Sequence, residues 1–416
     1  MVFVQSVDKQ FFPLDEELKL LPGILTPHGH ECLVRLSGWM PFDKAAELFE
    51  DFMGIQVSKS VSQRYTEEAG AAYVGMQTEE VEQLEREMPA APAGADKLQV
   101  SADGAMVPLV HGQWAEVRTV VIGEVQPMVQ ERGEWVVHTR NLSYFSRKMT
   151  AEEFTRLALV EMQRRGVENA KQVGAVMDGA EWEQGFVDHH RPDALRILDF
   201  PHAGEHISPI GEFLWGEGTP EMRQWVGERL HQLKHEGPAG LLAEFRDLQK
   251  QHPDEKVVSG NLAYLEKREA QMQYPQFQAQ GWPIGSGIVE SGNKLVVEAR
   301  LKGSGMHWAD GHVNSMLAIR NILCSDRWKE DWPKVAARLR LQIARKRQTL
   351  HQARAAAESA LTQQLLLQSP TVSNFAQEQI PTAPIPPVSP DKPKPNSWGK
   401  FKYGKALFQR FDLPKN

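Results

Sequence analysis

Cysteine is scarce in this sequence, and long apolar runs and an excess of positive charge are missing from it. Its only two cysteines, Cys32 and Cys324, exclude a disulfide framework and a metal site built from thiolates. No apolar run approaches the roughly 20 residues that a helix needs to cross a bilayer. The opening stretch MVFVQSVDKQFF lacks the basic and then apolar order of a signal peptide. We therefore expect a protein of the reducing cytoplasm that has no membrane partner.

The charge balance limits the ways in which the chain could bind nucleic acid. A net charge of −7 argues against indiscriminate coating of DNA, but DNA binding through local basic patches is still compatible with this net charge. Basic residues concentrate near the end of the chain, where either a solvated helix face with a basic tail or a phosphate-binding region fits the pattern. They are Arg338, Arg340, Arg345, Lys346 and Arg347, followed by Lys392, Lys394, Lys400, Lys402 and Lys405.

The length of 416 residues predicts two or three domains, and the first segment, 1–96, is predicted to be helical. An apolar stripe through Ala45 and Phe49 precedes a break at Gly54, after which Ser58 or Ser60 can cap a second helix. This is the helix-turn-helix pattern, although an ordinary helical hairpin has the same spacing. Ser60 and Arg64, on the second helix, are the candidate DNA contacts, and AAPAGAD at 90–96 is typical of a linker.

The second segment, 97–206, predicts a mixed α/β core. The stretches LQVSAD, AEVRTVVIGEV, WVVHT, VGAVMD and ALRILD are typical of strands, and MTAEEFTRLALVEMQRRG predicts a helix capped by Thr150. The order β-β-β-α-β-α-β combines an antiparallel meander with helical crossovers. It is the order of the ribonuclease H-like fold, with a mixed five-stranded sheet.

The remaining segments are predicted to be mostly helical. Residues 207–281 form an all-α insertion whose core we expect Trp215 and Trp225 to fill, and residues 282–330 return to the catalytic core. Residues 331–368 predict a C-terminal helical region. Residues 369–416 are Pro-rich and basic, as is typical of a disordered tail.

Two aspartates are candidate metal ligands, because Asp103 in SADG and Asp178 in VMDG each end a predicted strand and precede a glycine. Alone, either could be a helix cap or a turn residue. On neighbouring strands they favour a hard cation such as Mg²⁺, which binds few carboxylates and keeps several waters.

Glu290 in GSGIVESGNK is the candidate third carboxylate, although a glutamate in a first helical turn is also favoured by the helix dipole alone. Glu181 and Glu298 compete for this role, but Glu181 lacks the glycine-flanked setting. Three such carboxylates would serve two-metal phosphoryl transfer, with Mg²⁺ or Mn²⁺ as the cofactor. Lys294, Arg300 and Lys302 follow along the predicted Glu290 helix and are candidate contacts to the DNA backbone.

The segment ILDFPHAGEH, 197–206, places Asp199 and His202 beyond the last predicted strand. A zinc site is not favoured, because no cysteine accompanies the histidines and HAGEH is not HExxH. Asp199 is expected beside Asp178. His202 opens the next helix, where it either contacts a phosphate or a metal-bound carboxylate, or merely packs at the junction.

Five segments in order, SADGAMVPL, VMDGAEW, DFPHAGEH, GSGIVESGNK and RLKGSGMHW, resemble the DDE transposases of bacterial insertion sequences. More narrowly, they are similar to the ISKra group, over roughly residues 13–330. The resemblance implies a ribonuclease H-like catalytic domain with Asp103, Asp178 and Glu290 as the metal-binding triad. It also implies a helical insertion before the glutamate, with Asp199 and His202 as a D-x-x-H element in which His202 belongs to the catalytic set and Asp199 supports it.

The expected function is Mg²⁺-dependent DNA cleavage and strand transfer, on double-stranded element ends and target DNA. By analogy with synapsis of two ends, a homodimer or larger assembly is expected. Family members usually carry a Cys-rich N-terminal segment, and this sequence has no cysteine pair. One alternative is therefore a truncated or domesticated DNA-binding protein without transposition activity. The other is a ribonuclease H-like nuclease, such as a Holliday-junction resolvase.

Overall fold

The computed structural model describes residues 17–131 and 134–368. The chain divides into two units, 1–352 and 353–416, and the described part of the second unit is the last turns of a helix. The predicted tail, 369–416, and the first residues of the N-terminal segment, 1–16, lie outside the described residues. In the described ranges, no helix combines the length and the apolar character needed to span a membrane.

The N-terminal part of the chain consists of three helices, α1 (Pro27–Trp39), α2 (Phe42–Met53) and α3 (Lys59–Glu87). Gly54 ends α2 with a φ of 65°, a left-handed conformation that favours glycine. Of the two candidate caps for α3 it is Ser58, whose Oγ accepts a hydrogen bond from the backbone N–H of Val61 at 3.3 Å. The predicted sequence of helix, turn and helix is therefore confirmed as local structure.

Five strands form the central sheet: β1 (Lys97–Pro108), β2 (Trp114–Val125), β5 (Thr139–Arg147), β6 (Gln172–Met177) and β7 (Leu195–Leu198). Their order is β5-β2-β1-β6-β7, with β1, β6 and β7 parallel and β2 antiparallel to both of its neighbours. The predicted mixed five-stranded sheet is therefore confirmed.

One predicted strand is wrong in position. The stretch WVVHT was expected as the third strand of the sheet, but β4 (Glu134–Val136) pairs with β3 (Val129–Glu131) in a separate ribbon. The third strand of the sheet is β5, which begins at Thr139. Burial explains the difference, because Trp135 is 66% exposed while Phe145 of β5 is buried in the core.

Helices cover both faces of the sheet. On one face lie α4 (Ala151–Arg164) and α5 (Glu181–His190), whose Phe154 and Phe186 pack in one core with strand residues such as Val100. The predicted cap of α4 is confirmed, because Thr150 and Glu153 form a reciprocal capping box. The other face receives the segment that carries Glu290, through Val289 and Val296.

The insertion contains five helices: α6 (Phe200–Trp215), α7 (Pro220–Glu236), α8 (Pro238–Gln251), α9 (Lys256–Lys267) and α10 (Tyr274–Ala279). Helix α6 already begins at Phe200, so the predicted boundary at 207 falls within it. Trp225 packs in the insertion core and is 7% exposed, as predicted. The prediction for Trp215 is wrong, because this side chain, in the last turn of α6, is 49% exposed.

The chain then returns to the sheet through an irregular helical run: α11 (Gly287–Gly292), a π-helical turn (Asn293–Glu298) and α12 (Ala299–Leu301). Two long helices follow, α13 (Val313–Cys324) and α14 (Trp328–Gln368). Trp328 and Trp332 of α14 share a core with α1, α3 and α13, so the two ends of the first unit pack together.

Two buried arginines join this returning segment to α1. The guanidinium of Arg300 donates to the Ser37 carbonyl oxygen at 2.9 Å, and that of Arg320 donates to the Gly38 carbonyl oxygen at 3.0 Å. Carbonyl groups at a helix C-terminus attract cations, which favours both contacts. Arg300 is 2% exposed and its guanidinium lies 4.6 Å from the centre of the Phe42 ring. The predicted role of Arg300 as a DNA contact is therefore wrong for this structure, because phosphates cannot reach a buried group.

We expect Arg300→Ala to lower the free energy of unfolding by about 2 kcal/mol, because it leaves the buried Ser37 carbonyl oxygen without its charged donor. Lys302→Ala is the matched control, since Lys302 only pairs with Glu298 in a partly exposed (i, i+4) arrangement. That loss should stay below about 0.5 kcal/mol. Urea unfolding of both variants measures the difference, and equal losses would contradict the structural role of Arg300.

Candidate functional site

The register of two neighbouring parallel strands brings Asp103 and Asp178 to the same level of the sheet. Strands β1 and β6 pair Val100 with Ala175, and three residues further along each strand lie Asp103 and Asp178. Adjacent strands are about 4.8 Å apart, so the two carboxylates start from neighbouring backbones. Asp178 follows the last residue of β6, as predicted. Asp103 does not end its strand, because β1 continues to Pro108 alongside β2.

Both carboxylate oxygens of Asp103 accept hydrogen bonds. Its Oδ1 accepts from the Gly104 backbone N–H at 2.6 Å, and its Oδ2 accepts from the Asn293 side-chain amide at 2.9 Å. Burial raises the pKa of Asp103, and the negative charges of Asp178 and Glu290 raise it further. The three predicted carboxylates therefore interact electrostatically around Asp103.

Glu290 reaches this cluster from the returning helical segment. It lies in the first turn of α11 and is exposed, whereas Asp103 and Asp178 are half-buried. The π-helical turn begins three residues later at Asn293, the residue that holds Asp103. π-helical turns occur frequently at functional sites, where they redirect side chains. Sequence reasoning missed Asn293, and its spacing of three residues from Glu290 was the available signal.

Asp199 links the sheet to the approach of α11. Its Oδ2 accepts from the backbone N–H of His202 at 3.1 Å, which caps α6, and its Oδ1 accepts from the backbone N–H of Ser286 at 2.7 Å. The Phe200 N–H also donates to the Ile284 carbonyl oxygen at 2.9 Å. Asp199 is buried and both of its oxygens are used, so it fixes the chain just before Glu290.

His202 lies in the first turn of α6 and contacts other residues of the insertion. Its Nδ1 lies 3.0 Å from a carboxylate oxygen of Glu205, and its ring centre is 5.8 Å from that of Tyr264. Tyr264 donates its phenol O–H to the carbonyl oxygen of Asp178. The Tyr264 ring therefore lies between His202 and the Asp178 backbone. The catalytic role of His202 stays a prediction.

Glu183 is a fourth carboxyl group of the site that sequence reasoning missed. It is fully buried, and its Oε2 accepts from the Gly179 backbone N–H at 3.0 Å. Burial and the adjacent Asp178 carboxylate raise the pKa of Glu183 to about 10. The competing Glu181 is exposed instead and pairs with Lys267, an ion pair that lowers its pKa. The only sequence signal for Glu183 was its position one helical turn beyond Gly179.

The remaining predicted DNA contacts lie at the surface. Lys294 is exposed in the π-helical turn next to Asn293. Lys302 is half-buried and engaged by Glu298. Ser60 and Arg64 are exposed on the first turns of α3, and Arg64 lies over the ring of Tyr65.

The donors at this site match the chemistry of a hard divalent cation. Among residues 17–131 and 134–368, no three His, Cys, Asp or Glu side chains already stand close enough to hold a metal ion. The oxygens of Asp103, Asp178 and Glu290 are nevertheless of the type that Mg²⁺ prefers. The buried Oδ1 of Asn293 has no hydrogen-bond partner in the described structure and adds a free amide oxygen beside them.

No protein-family model matches the chain, and no curated protein matches it.

Glu183→Gln is expected to change how stability depends on pH. The raised pKa means that folding takes up a proton between the ordinary pKa of 4.5 and about 10, so wild-type stability falls as the pH rises through that window. The neutral amide removes this dependence. The stability of the variant relative to wild type should therefore grow from about pH 5 to about pH 9, by at most about 1.4 kcal/mol per pH unit.

Urea unfolding at four pH values, without added divalent ions, measures this effect. Glu181→Gln, on the same helix but exposed, should run parallel to wild type across the range. Parallel curves for Glu183→Gln and wild type would show that Glu183 is not held in its protonated form.

Proposed function

We propose that this protein is a DDE transposase of the insertion-sequence type, which cleaves DNA at element ends and joins the released 3′-hydroxyl to target DNA. The observation that carries the proposal is geometric: Asp103 and Asp178 stand at the same level of adjacent parallel strands, and the segment that carries Glu290 binds Asp103 through Asn293. Such a concentration of negative charge favours a site that binds divalent cations.

The sheet supports a ribonuclease H-like core for this function. Three antiparallel strands, β1, β2 and β5, are followed by two strands parallel to β1, and helices cover both faces. Asp103 lies within β1 and Asp178 directly follows β6, the parallel neighbour of β1, so the two carboxylates stand at the same level of the sheet. The all-α insertion between β7 and α11 matches the order that the sequence resemblance implies.

The residues of the chain would divide the work of phosphoryl transfer among themselves. Asp103, Asp178 and Glu290 would hold Mg²⁺ or Mn²⁺, which supplies activation of the attacking hydroxyl and charge neutralisation at the phosphodiester. Asn293 orients the Asp103 carboxylate through its amide. Glu183 keeps its proton and so adds no further negative charge beside Asp178.

Asp178→Asn should lower strand cleavage and strand transfer by at least about a hundredfold, equal to losing about 2.7 kcal/mol of transition-state stabilisation. The amide keeps the shape of the side chain and removes the charge that binds the cation. The assay follows a labelled element-end duplex with Mg²⁺ or Mn²⁺. Glu181→Gln, a surface carboxylate three residues away, is the control and should retain wild-type activity.

The products of the same assay distinguish the proposed function from its alternatives. Joined DNA products from wild type support transposition, whereas cut but unjoined products indicate a nuclease. Binding of the duplex without any cleavage by wild type indicates a DNA-binding protein. Strand transfer by Asp178→Asn at the wild-type rate would overturn the assignment of the three carboxylates.

Lys294→Ala tests whether DNA approaches the carboxylate cluster on the side of the π-helical turn. Loss of one phosphate contact should weaken binding about equally for all sequences and reduce the slope of log affinity against log salt by about 0.9. Lys171→Ala is the control, because Lys171 is also exposed but precedes β6, at the end of that strand away from Asp178. Fluorescence anisotropy across a salt series measures both slopes, and identical slopes for Lys294→Ala and wild type would exclude this contact.

A further inference from the structure

A stack of three side chains in the insertion ends at the backbone of Asp178. The ring of Tyr264 lies parallel to the His206 ring, with 3.6 Å between their centres. The guanidinium of Arg268 lies 3.6 Å from the centre of the same tyrosine ring. The phenol O–H of Tyr264 donates to the carbonyl oxygen of Asp178. His206 is itself fixed, because its Nδ1 lies 2.8 Å from the side-chain oxygen of Asn261.

Arg268 holds the next residue of the same turn. Its Nε and Nη2 both donate to the Gly179 carbonyl oxygen, the first at 3.2 Å. Arg268 is buried, and no carboxylate within 4.0 Å pairs with it in the described structure. Gly179 has a φ of 84°, and a Cβ there would lie only 2.4 Å from the Arg268 Nε. The turn is therefore built to admit the guanidinium.

These contacts converge on the short turn that aims the Asp178 side chain. Within the turn, the Asp178 Oδ1 accepts from the Ala180 N–H at 2.8 Å, and the Gly179 N–H donates to Glu183. The carbonyl oxygens of both Asp178 and Gly179 are bound from the insertion. Two carbonyl oxygens of this turn are thus bound from the insertion, and two further hydrogen bonds come from the turn itself and from Glu183 of α5.

We propose that Tyr264 and Arg268 are positioning residues that hold the Asp178–Gly179 turn. Through these two contacts, the packing of the insertion against the sheet sets the affinity of the carboxylate site for a divalent cation. This proposal rests on the proposed function, because it takes Asp178 as a ligand. Hydrogen bonds that orient the ligands of a metal typically change its affinity by about 10- to 100-fold when they are removed. The pKa of Tyr264 is raised to about 12, chiefly by burial, so its phenol remains a donor at neutral pH.

The insertion offers a matched control for Tyr264. Tyr274 is a buried tyrosine of the same domain, where Tyr264 is half-buried, and its phenol O–H donates to the carbonyl oxygen of Leu198, at the end of the neighbouring strand β7, at 3.0 Å. Tyr264→Phe and Tyr274→Phe therefore each remove one phenol hydrogen bond from insertion to sheet. Only the first removes it from the turn that carries Asp178.

The experiment measures binding of Mn²⁺ alone to the full chain, by calorimetry, for wild type and the two variants. We expect Tyr264→Phe to weaken Mn²⁺ binding about tenfold, while Tyr274→Phe binds like wild type. Hydrogen exchange of the 178–181 backbone should accelerate in Tyr264→Phe only. In the cleavage assay, the Mg²⁺ concentration that gives half the maximal rate should rise for Tyr264→Phe and remain unchanged for Tyr274→Phe.

The possible results separate the positioning role of Tyr264 from the metal site itself. Equal Mn²⁺ affinity for Tyr264→Phe and wild type, or equal losses in both variants, overturns the positioning role while the proposed function stands. Absence of Mn²⁺ binding by wild type, or binding that survives in Asp178→Asn, overturns the metal site and hence both proposals. Thermal unfolding of each variant checks that it folds. Arg268→Lys provides a second test, because it keeps the positive charge but loses the two hydrogen bonds that the guanidinium donates to the Gly179 carbonyl oxygen.

Discussion

Mutual repulsion between carboxylates is the constraint around which this structure is arranged. The register of β1 and β6 places Asp103 and Asp178 side by side, and Glu290 adds a third charge. Burial, and after it the charges of Asp178 and Glu290, raise the pKa of Asp103, so its charged form needs hydrogen-bond donors or cations as compensation. Gly104 and Asn293 supply donors to Asp103, and a protonated Glu183 avoids adding another charge.

Distant parts of the chain contribute to holding this cluster. Asp199 uses both oxygens to fix the start of α6 and the loop before α11, so the insertion begins and ends at the same point. Arg300, just beyond the π-helical turn, is bound to the end of α1, which ties the Glu290 segment to the N-terminal helices. A buried cation with backbone acceptors is costly to disturb, so these links favour one arrangement of the segment.

Much of the local structure could be predicted because it depends on local rules. The capping box at Thr150, the turn at Gly54 and the burial pattern of β1 and β6 follow from the preferences of a few adjacent residues. Errors arose where tertiary burial decides between similar patterns. WVVHT has strand composition, yet β5 took its place in the sheet because it offers Tyr144 and Phe145 to the core.

The sequence by itself determined the order of helices and strands and the acidic residues that follow β6 and open α11. Only the tertiary structure decided which polar residues serve the site, because hydrogen-bond partners separated by many residues leave no periodic pattern in the chain. Asn293 binds Asp103 through such a contact, across 190 residues of sequence, whereas Arg300, basic like Lys294, is buried against α1. Glu183 binds the nearby Gly179, and burial is what separates it from the exposed Glu181. The charge of a basic side chain predicts affinity for phosphate, but its burial determines whether a phosphate can reach that side chain.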